Sequence, residues 1–464
     1  MGLSDRLNRA EPGGESAAYL QTETLRSIAT AGKERLEMAE IRNAINDELK
    51  NLIGKALYSG EVDPDLLQST VFKAIAIVIE KSDYPLTDSE RAELVQEIVD
   101  DILGNGPLEQ LLRDPEVTEI MVARFDTIYV ERYGKLTATA LAFQNEDHLR
   151  KTIDRIVGKV GRRIDESSPL VDARLKDGSR VNAVVPPIAL DGATLTIRKF
   201  FKDPFTARDM VNTGTLTLNA MDFLRAAVMG RMNIIISGGT GSGKTTTLNV
   251  VSSFIPEDER IVTIEDSAEL QLAKPHVIRM ETRPVNIEGS GMVSIRDLVR
   301  NSLRMRPDRI VVGEVRDGAA LDMLQAMNTG HDGSLTTVHA NSTTDALSRL
   351  ETMSLMAGMD LPMSAIRDQV SRAVDLIIQQ TRMYDGSRRI TAITEVLGMV
   401  DGHPQLQDIF TFEYASKNSK AAKDSKDGGE DVGIGRLVAT GKVPQFLDRL
   451  AERGVELDKA VFKK

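Results

Sequence analysis

A glycine-rich segment carries the clearest chemical signal of this 464-residue chain. The run Gly238-Gly239-Thr240-Gly241-Ser242-Gly243-Lys244-Thr245 has the spacing G-x-x-x-x-G-K-[ST], and it lies between an apolar, strand-like run and a helix that is expected to begin near Lys244. Glycines let successive backbone N–H groups turn inward around an anion, and a helix start adds its positive dipole end. Lys244 would reach the β- and γ-phosphates of a nucleoside triphosphate, and the Thr245 hydroxyl would bind Mg²⁺. The alternative is a flexible turn that happens to contain a lysine, and the strand and helix patterns on either side argue against it.

Two apolar runs downstream end in acidic residues, which nucleotide hydrolysis needs for holding Mg²⁺ and activating water. One run ends in Glu265, and the other ends in Gly313-Glu314, where an aspartate is usual. An open α/β sheet binds ligands at the carboxyl ends of its strands, so we expect both glutamates at the same edge as the glycine-rich loop. Glu314 is the first choice for orienting the attacking water, and Glu265 is the second catalytic acid and a candidate magnesium ligand. Either glutamate alone could be a solvated carboxylate at a strand end.

Two of the five histidines flank one predicted strand, at residues 334–338. His339 would end that strand on its carboxyl side and face the γ-phosphate, which it could sense by donating a hydrogen bond or by gaining charge. His331 fits a core or capping role. A zinc site is the weaker interpretation, because two histidines eight residues apart with no cysteine match no known ligand spacing.

A predicted β-hairpin supplies further positive charge. Asp177-Gly178 is a turn dipeptide between two strand-like runs, and Arg174 and Arg180 stand on either side of it. A three-residue loop with a bulge at Gly178 would put the two arginines opposite each other, which is unfavourable unless a polyanion lies beside them. A two-residue loop would put them on opposite faces, and they would then be ordinary surface arginines.

The elements that position these residues predict an α/β fold with several domains. Residues 1–30 are expected to be a flexible arm, 31–106 a small helical bundle, and 107–205 a mixed α+β domain. Residues 206–464 are expected to form the P-loop domain and a C-terminal unit, with a flexible low-complexity insert at 415–433. The predicted strands of the α+β domain are 117–122, 127–131, 136–143, 170–175, 180–185 and 193–198, and those of the P-loop domain are 233–237, 260–265, 277–280, 309–313 and 334–339. Methionines at 353, 356, 359 and 363 are interpreted as core residues.

Composition excludes several classes of protein. The net charge is −11, tryptophan is absent and aromatic residues make up 4%, which argues against binding of nucleic acid as the main function. Cysteine is absent, which excludes disulfides and thiolate metal sites. No apolar run approaches the length of a membrane span. We therefore expect a cytoplasmic protein that meets the membrane only through partners.

Taken together, these segments resemble the secretion-ATPase superfamily of type II secretion, type IV pilus and conjugation motors. The residues 238–245 resemble its Walker A motif, 263–269 its Asp box, 311–317 its atypical Walker B and 330–342 its His box. Within the superfamily, the CpaF-type ATPases of Flp (tight-adherence) pilus systems are most similar, through residues 171–182, 195–200 and 439–447. The resemblance covers about residues 88 to 464 and leaves out the N-terminal segment and the 415–433 insert.

The resemblance implies a RecA-like P-loop ATPase domain in a homohexameric ring that uses ATP and Mg²⁺. Residues 239–246 would bind nucleotide, Glu314, Glu265 and His339 would act in catalysis, and Arg174 and Arg180 would approach the nucleotide from the preceding domain. The ring would drive pilus assembly, either alone or together with retraction, through an inner-membrane platform protein. A DNA-transfer or secretion motor and a nucleotide-gated scaffold with little turnover are the alternatives. The family's tetracysteine zinc element is absent, because the chain has no cysteine.

Overall fold

The computed structural model divides the chain into two compact units, Met1–Phe200 and Phe201–Lys464. It describes residues 64–81, 87–200, 205–283, 285, 290–415 and 434–464, together with residues 41, 44, 45, 47, 48, 51 and 52. The arm predicted at 1–30 lies outside the described residues, as does nearly all of the insert predicted at 415–433. None of the helices in the described ranges combines the length and the apolarity needed to span a bilayer.

Three helices whose bounds the structure gives precede the sheet in the first unit. They are α1 (Pro64–Lys81), α2 (Asp88–Leu103) and α3 (Leu108–Arg113). Val71 and Ile75 of α1 pack with Leu94 and Ile98 of α2 in one apolar cluster. The four-residue spacing of Leu94 and Ile98 places both side chains on one face of the helix. Helix α2 ends at Leu103, and the N–H of the next residue, Gly104, donates to the carbonyl of Asp100 at 3.0 Å.

An antiparallel six-stranded sheet forms the rest of this unit, in the order β3-β2-β1-β6-β5-β4. Its elements are β1 (Val117–Arg124), β2 (Thr127–Arg132), β3 (Lys135–Ala138), α4 (Glu146–Gly158), β4 (Leu170–Arg174), β5 (Arg180–Val184) and β6 (Thr194–Arg198). Helix α4 buries Leu149, Ile153 and Ile156 in the same core as the sheet. The expected strand at 136–143 is too long, because β3 is an exposed strand at the sheet edge that stops at Ala138.

The second unit is an α/β domain, which confirms the predicted fold class. Its helices are α5 (Ala207–Asn212), α6 (Leu218–Met229), α7 (Lys244–Ser252), α8 (Ile295–Ser302), α9 (Ala319–Asn328), α10 (Thr343–Leu355), α11 (Met363–Ala373) and α12 (Leu447–Glu452), followed by a 3₁₀ turn (Lys459–Phe462). Its strands are β7 (Ile234–Gly238), β8 (Ile261–Glu265), β9 (Val277–Glu281), β10 (Arg309–Val312), β11 (Leu335–Val338), β12 (Leu376–Arg382), β13 (Arg388–Val400), β14 (His403–Tyr414) and β15 (Gly435–Ala439).

The strands join in one nine-stranded sheet with the order β15-β14-β13-β12-β7-β11-β10-β8-β9. Strands β7 to β12 run parallel to one another, and β13 to β15 extend the sheet in antiparallel fashion. Helices cover both faces, so the central strands are apolar on both sides. In β7, Ile234 and Ile236 belong to one core and Ile235 to the other. This alternation explains why the run before the glycine-rich loop is continuously apolar.

The antiparallel extension and the last helix close one of these cores. Phe223 of α6 lies 5.7 Å from Phe410, 6.0 Å from Phe446 and 5.5 Å from Phe462, measured between ring centroids. Aromatic pairs at such distances stabilise a core beyond the area they bury. The segment after residue 434 is therefore part of the α/β domain's own core.

A buried arginine holds the other end of the parallel strands, away from the glycine-rich loop. The side chain of Arg309, at the start of β10, is fully buried. Its guanidinium bonds to the carboxylate of Glu259 and donates to the carbonyls of Val228 at 2.8 Å and Gly333 at 3.1 Å. A buried guanidinium needs this full set of partners to offset the loss of hydration.

The methionine prediction is wrong for three of the four residues. Met353 is buried, whereas Met356, Met359 and Met363 are 62%, 47% and 38% exposed. The helical spacing does not persist, because α10 ends at Leu355 and Gly358 turns the chain with φ +72°.

Candidate nucleotide-binding site

The glycine-rich segment forms a tight loop between β7 and α7. Gly241 and Gly243 have φ values of +69° and +95°, in the left-handed region that favours glycine. The Ser242 hydroxyl donates to the Gly239 carbonyl at 2.9 Å, which folds the loop back on itself. Gly243 is the N-cap of α7 and makes no side-chain cap, so the first N–H groups of the helix are not capped by it. This is the loop and helix start that an anionic phosphate requires.

Lys244 lies inside the loop that it closes. Its Nζ donates to the Gly239 carbonyl at 3.1 Å. Burial lowers the pKa of Lys244, the nearby Glu314 carboxylate opposes that shift, and Arg316 adds to it. The ammonium group is thus held in the loop, within the electrostatic influence of the Glu314 carboxylate. Thr245 and Thr246 follow in the first turn of α7, Thr245 half-buried and Thr246 exposed.

The two predicted acids lie at the same edge of the sheet. Strands β8 and β10 are parallel neighbours in which Ile264 is paired with Val312, one residue before Glu265 and Gly313. Glu265 is 2% exposed, and its Oε1 accepts the N–H groups of Glu269 at 2.9 Å and Leu270 at 3.0 Å. Burial raises the pKa of Glu265 to about 6, although these two N–H groups oppose the rise. A carboxyl group with this pKa can accept a proton near neutral pH.

Gly313 explains why the usual aspartate is missing at the end of β10. A Cβ atom at Gly313 would lie 3.0 Å from Cγ and 3.6 Å from Oε1 of Glu265. The side chain of Glu265 therefore fills the space that an aspartate at residue 313 would need. Its Oε2 is buried and has no hydrogen-bond partner among the described residues. An unsatisfied buried carboxylate oxygen at this edge fits a site for a water molecule or a hydrated cation.

Glu314 forms an ion pair with Arg316, which was not among the site residues predicted from the sequence. Arg316 Nη2 lies 3.0 Å from Glu314 Oε2, and Arg316 Nη1 lies 3.7 Å from Asp266 Oδ2. The hydrogen bond to Glu314 raises the pKa of Arg316. Arg316 thus links the loops that follow β8 and β10. Only the adjacency of these two strands reveals the link, because Arg316 and Asp266 are far apart in sequence.

His339 follows the strand that separates β10 from β7. Val338 is paired with Ser237, so β11 ends level with the start of the phosphate loop, and His339 is exposed there. His331 precedes the same strand at its other end, and the zinc interpretation is not supported by this arrangement. The described residues contain no group of three or more His, Cys, Asp or Glu side chains that could hold a metal ion.

Arg174 and Arg180 lie in the first unit. Leu175 N–H donates to the Ser179 carbonyl at 2.9 Å, and Gly178 has φ +97°, which is the three-residue loop with its bulge. Arg174 and Arg180 are therefore directly opposite each other, as expected for this loop. Arg180 is also paired with Arg198 of β6, so three arginines form a row across the strands. Arg198 bonds to Glu119, whereas the roles of Arg174 and Arg180 toward a nucleotide stay a prediction.

A nucleotide with Mg²⁺ fits the residues at the sheet edge. The loop N–H groups and Lys244 match a triphosphate, and Thr245 and Glu265 offer oxygen atoms of the kind that Mg²⁺ prefers. Mg²⁺ usually takes only one or two protein oxygens and completes its shell with phosphates and water. The small number of acidic side chains here is therefore sufficient.

These features define a P-loop ATPase. The chain belongs to the type II/IV secretion system protein family, whose model matches residues 101–413. It is 34% identical over 343 residues to a putative conjugal transfer protein of Mycobacterium tuberculosis, covering 73% of this chain and 97% of that protein. It is 35% identical over 304 residues to the conjugal transfer protein TrbB of Rhizobium radiobacter, covering 64% of this chain and 88% of that protein. The crystal structure of the VirB11 ATPase from the Brucella suis type IV secretion system is similar, with 31% sequence identity and a TM-score of 0.35. The match covers 62% of this chain and 94% of that chain.

Proposed function

We propose that this protein is a hexameric motor ATPase that couples ATP hydrolysis to the assembly of a Flp-type pilus. The observation that carries the proposal is the meeting of Lys244, Glu265 and Glu314 at one edge of the parallel sheet. Those three residues supply the phosphate contact and the acids that phosphoryl transfer to water requires. The resemblance to CpaF-type ATPases in residues 171–182 and 195–200 favours the pilus as the driven machine.

In the proposed reaction, residues 239–246 bind the phosphates and Lys244 neutralises the β- and γ-phosphate oxygens. Mg²⁺, held by Thr245 with Glu265 nearby, would supply further positive charge to these oxygens. Glu314 orients the attacking water, and Glu265 is the second catalytic acid at the same edge of the sheet. His339 senses the γ-phosphate. Arg174 and Arg180 stabilise the charge that develops on the transferred phosphoryl group.

The proposed motor works at the cytoplasmic face of the inner membrane. It would bind ATP, turn over as a ring of six identical subunits, and pass its movement to a platform protein in the membrane. Its surface would meet other proteins rather than nucleic acid, in keeping with the net charge of −11.

A second candidate function is a motor for DNA transfer or secretion. The observation that favours it is that relatives similar to this chain are named as conjugal transfer proteins. The two candidates share the ATPase and differ in the polymer that is moved. DNA-stimulated ATP turnover that falls steeply with salt would support the transfer motor and argue against the pilus motor.

Two substitutions test the proposed reaction. Lys244→Ala should abolish ATP binding and hydrolysis, whereas Glu314→Gln should keep ATP binding and reduce hydrolysis at least about a hundredfold. Both variants should also abolish pili on cells. ATP binding is measured by equilibrium titration, and turnover by steady-state phosphate release. Wild-type turnover in Lys244→Ala protein would disprove the assignment of the loop, and ATP binding by wild-type protein without turnover would indicate a scaffold.

A further inference from the structure

A second pair of arginines lies beside the phosphate loop, on the hairpin between β12 and β13. Arg382 is the last residue of β12 and Arg388 the first residue of β13, and the two are paired directly across the hairpin. Both side chains are exposed. Two cations placed opposite each other repel, so this arrangement is favourable when an anion lies close by. Arg174 and Arg180 form a similar pair on the hairpin of the first unit.

Distances place both arginines against the middle of the loop. Arg388 Nε donates to the carbonyl of Gly241 at 3.0 Å. A Cβ atom at Gly241 would lie 3.4 Å from Arg382 Nη1, and one at Gly243 would lie 3.1 Å from Arg388 Cδ. Gln380 of the same hairpin accepts the Thr247 hydroxyl at 2.7 Å and so holds the start of α7. The hairpin therefore contacts the loop and its helix through the side chains of Gln380, Arg382 and Arg388.

The strand order shows which end of a nucleotide this hairpin faces. Strands β11, β10 and β8 lie on one side of β7, and β12 and β13 lie on the other. Glu265 ends β8, and Glu314 follows β10. The acids mark the γ-phosphate end, since they act on the attacking water. The nucleoside end must then extend toward the β12–β13 hairpin.

We propose that Arg382 contacts the α-phosphate of the bound nucleotide and that Arg388 positions the phosphate loop through the Gly241 carbonyl. This inference rests on nucleotide binding by the P-loop. It gives the two arginines different tasks, one toward the ligand and one toward the protein. The affinity for a ligand that contains the α-phosphate should depend on both arginines. The affinity for a ligand that fills only the β- and γ-positions should depend on Arg388 alone.

The test compares ADP with inorganic pyrophosphate on the full-length protein in the presence of Mg²⁺. Arg382→Gln should weaken ADP binding about tenfold, the loss expected of one charge-assisted hydrogen bond, and should leave pyrophosphate binding within about twofold of wild type. Arg382→Lys should recover most of the ADP affinity, because it keeps the charge. Arg388→Gln should weaken both ligands. Thermal unfolding of each variant confirms that it is folded.

Two results would overturn the inference. If Arg382→Gln binds ADP as tightly as wild type, the proposed contact of Arg382 with the α-phosphate is wrong. If Arg388→Gln weakens the binding of ADP but not of pyrophosphate, the proposed positioning role of Arg388 is wrong. Arg436→Gln is the matched control, because Arg436 is an exposed arginine on β15 of the same sheet. Lys244→Ala should lose both ligands. If Lys244→Ala keeps them, the nucleotide assignment itself fails, and that failure is distinct from a failure of the hairpin alone.

Discussion

Arg316 contacts the two acidic loops of the site at once, through Glu314 and Asp266. Because a carboxylate that orients water must be held in one direction, Arg316 is a positioning residue for Glu314. Arg316→Gln should lower kcat by about tenfold or more and leave ATP affinity nearly unchanged, since the loop N–H groups and Lys244 hold the phosphates. Steady-state kinetics and equilibrium titration measure the two quantities separately.

The matched control for Arg316 is Arg372, which pairs with Asp368 on the exposed face of α11. Arg372→Gln removes the same charge from a surface ion pair and should leave kcat within about twofold. An equal loss of ATP affinity and kcat in Arg316→Gln would instead assign Arg316 a direct role in binding.

Glu265 makes the stability of the free protein depend on pH. Its pKa rises from 4.5 in the unfolded chain to about 6 in the fold, mainly because the carboxyl group is buried. The fold therefore prefers the protonated carboxyl, and this contribution is complete below pH 4.5 and is lost as the pH rises through 6. Without nucleotide or Mg²⁺, the loss amounts to about 2 kcal/mol.

The measurement is the free energy of unfolding of wild type and Glu265→Gln at pH 4 and pH 7.5. The difference between the two proteins should shift by about 2 kcal/mol between these pH values, in favour of the variant at pH 7.5. A difference that is the same at both pH values would show that the carboxyl group titrates normally.

At the scale of elements, the contact between β8 and β10 depends on a glycine. Gly313→Ala would place a methyl group 3.0 Å from the Glu265 Cγ, and Glu265 cannot shift freely because two backbone N–H groups hold its Oε1. We expect a loss of about 1–3 kcal/mol in unfolding free energy, together with reduced hydrolysis. Chemical denaturation and phosphate release test the two effects.

Gly158→Ala is the control for this substitution. Gly158 ends α4, and a Cβ atom there would meet nothing within 4 Å. The control should unfold like wild type or be slightly more stable, since alanine restricts the unfolded chain. If Gly313→Ala were as stable and active as Gly158→Ala, Glu265 would not be confined as described.

The sequence predicted those elements whose signals are local. The glycine spacing, the apolar runs and the Asp177-Gly178 turn are each contained within a few residues, and β7, β8, β10 and the arginine hairpin follow from them. Strands β12 to β14 were not predicted. Their apolar alternation is interrupted where the register shifts, at Gln379/Gln380, Ile393/Thr394 and Val396/Met399, so no regular period of two is present.

The unpredicted part of the site depends on which strands are neighbours. Arg316 and Asp266 meet because β8 lies beside β10, and Arg388 meets Gly241 because β12 lies beside β7. Contacts between residues this far apart in sequence produce no local sequence pattern, so they could not be predicted from the sequence alone. The space at Gly313 is likewise visible only when Glu265 of the next strand is in place.

At the scale of the whole molecule, the predicted role of Arg174 belongs to the proposed ring of six subunits. Arg174→Gln should leave the ATP affinity of separate subunits within about twofold, and it should reduce hydrolysis in the assembled form by about a hundredfold or more, as for an arginine that stabilises transition-state charge. Size-exclusion chromatography separates the two forms, and phosphate release is measured on each.

The control for Arg174 is Arg163, an exposed arginine of the same unit that pairs with Asp165. Arg163→Gln should hydrolyse ATP at the wild-type rate in the assembled form. Equal losses of binding and hydrolysis in Arg174→Gln subunits would assign Arg174 to the binding of nucleotide within one chain.

The packing of Phe223 against Phe446 and Phe462 has a consequence for how the protein folds during synthesis. Domains generally fold as units while they leave the ribosome, beginning with the N-terminal ones. The phosphate loop emerges early from the second unit, but the core beneath α6 stays open until residues 446–462 have been synthesised. A nascent chain that already carries the complete Walker A motif therefore still lacks the residues that complete the core beneath α6.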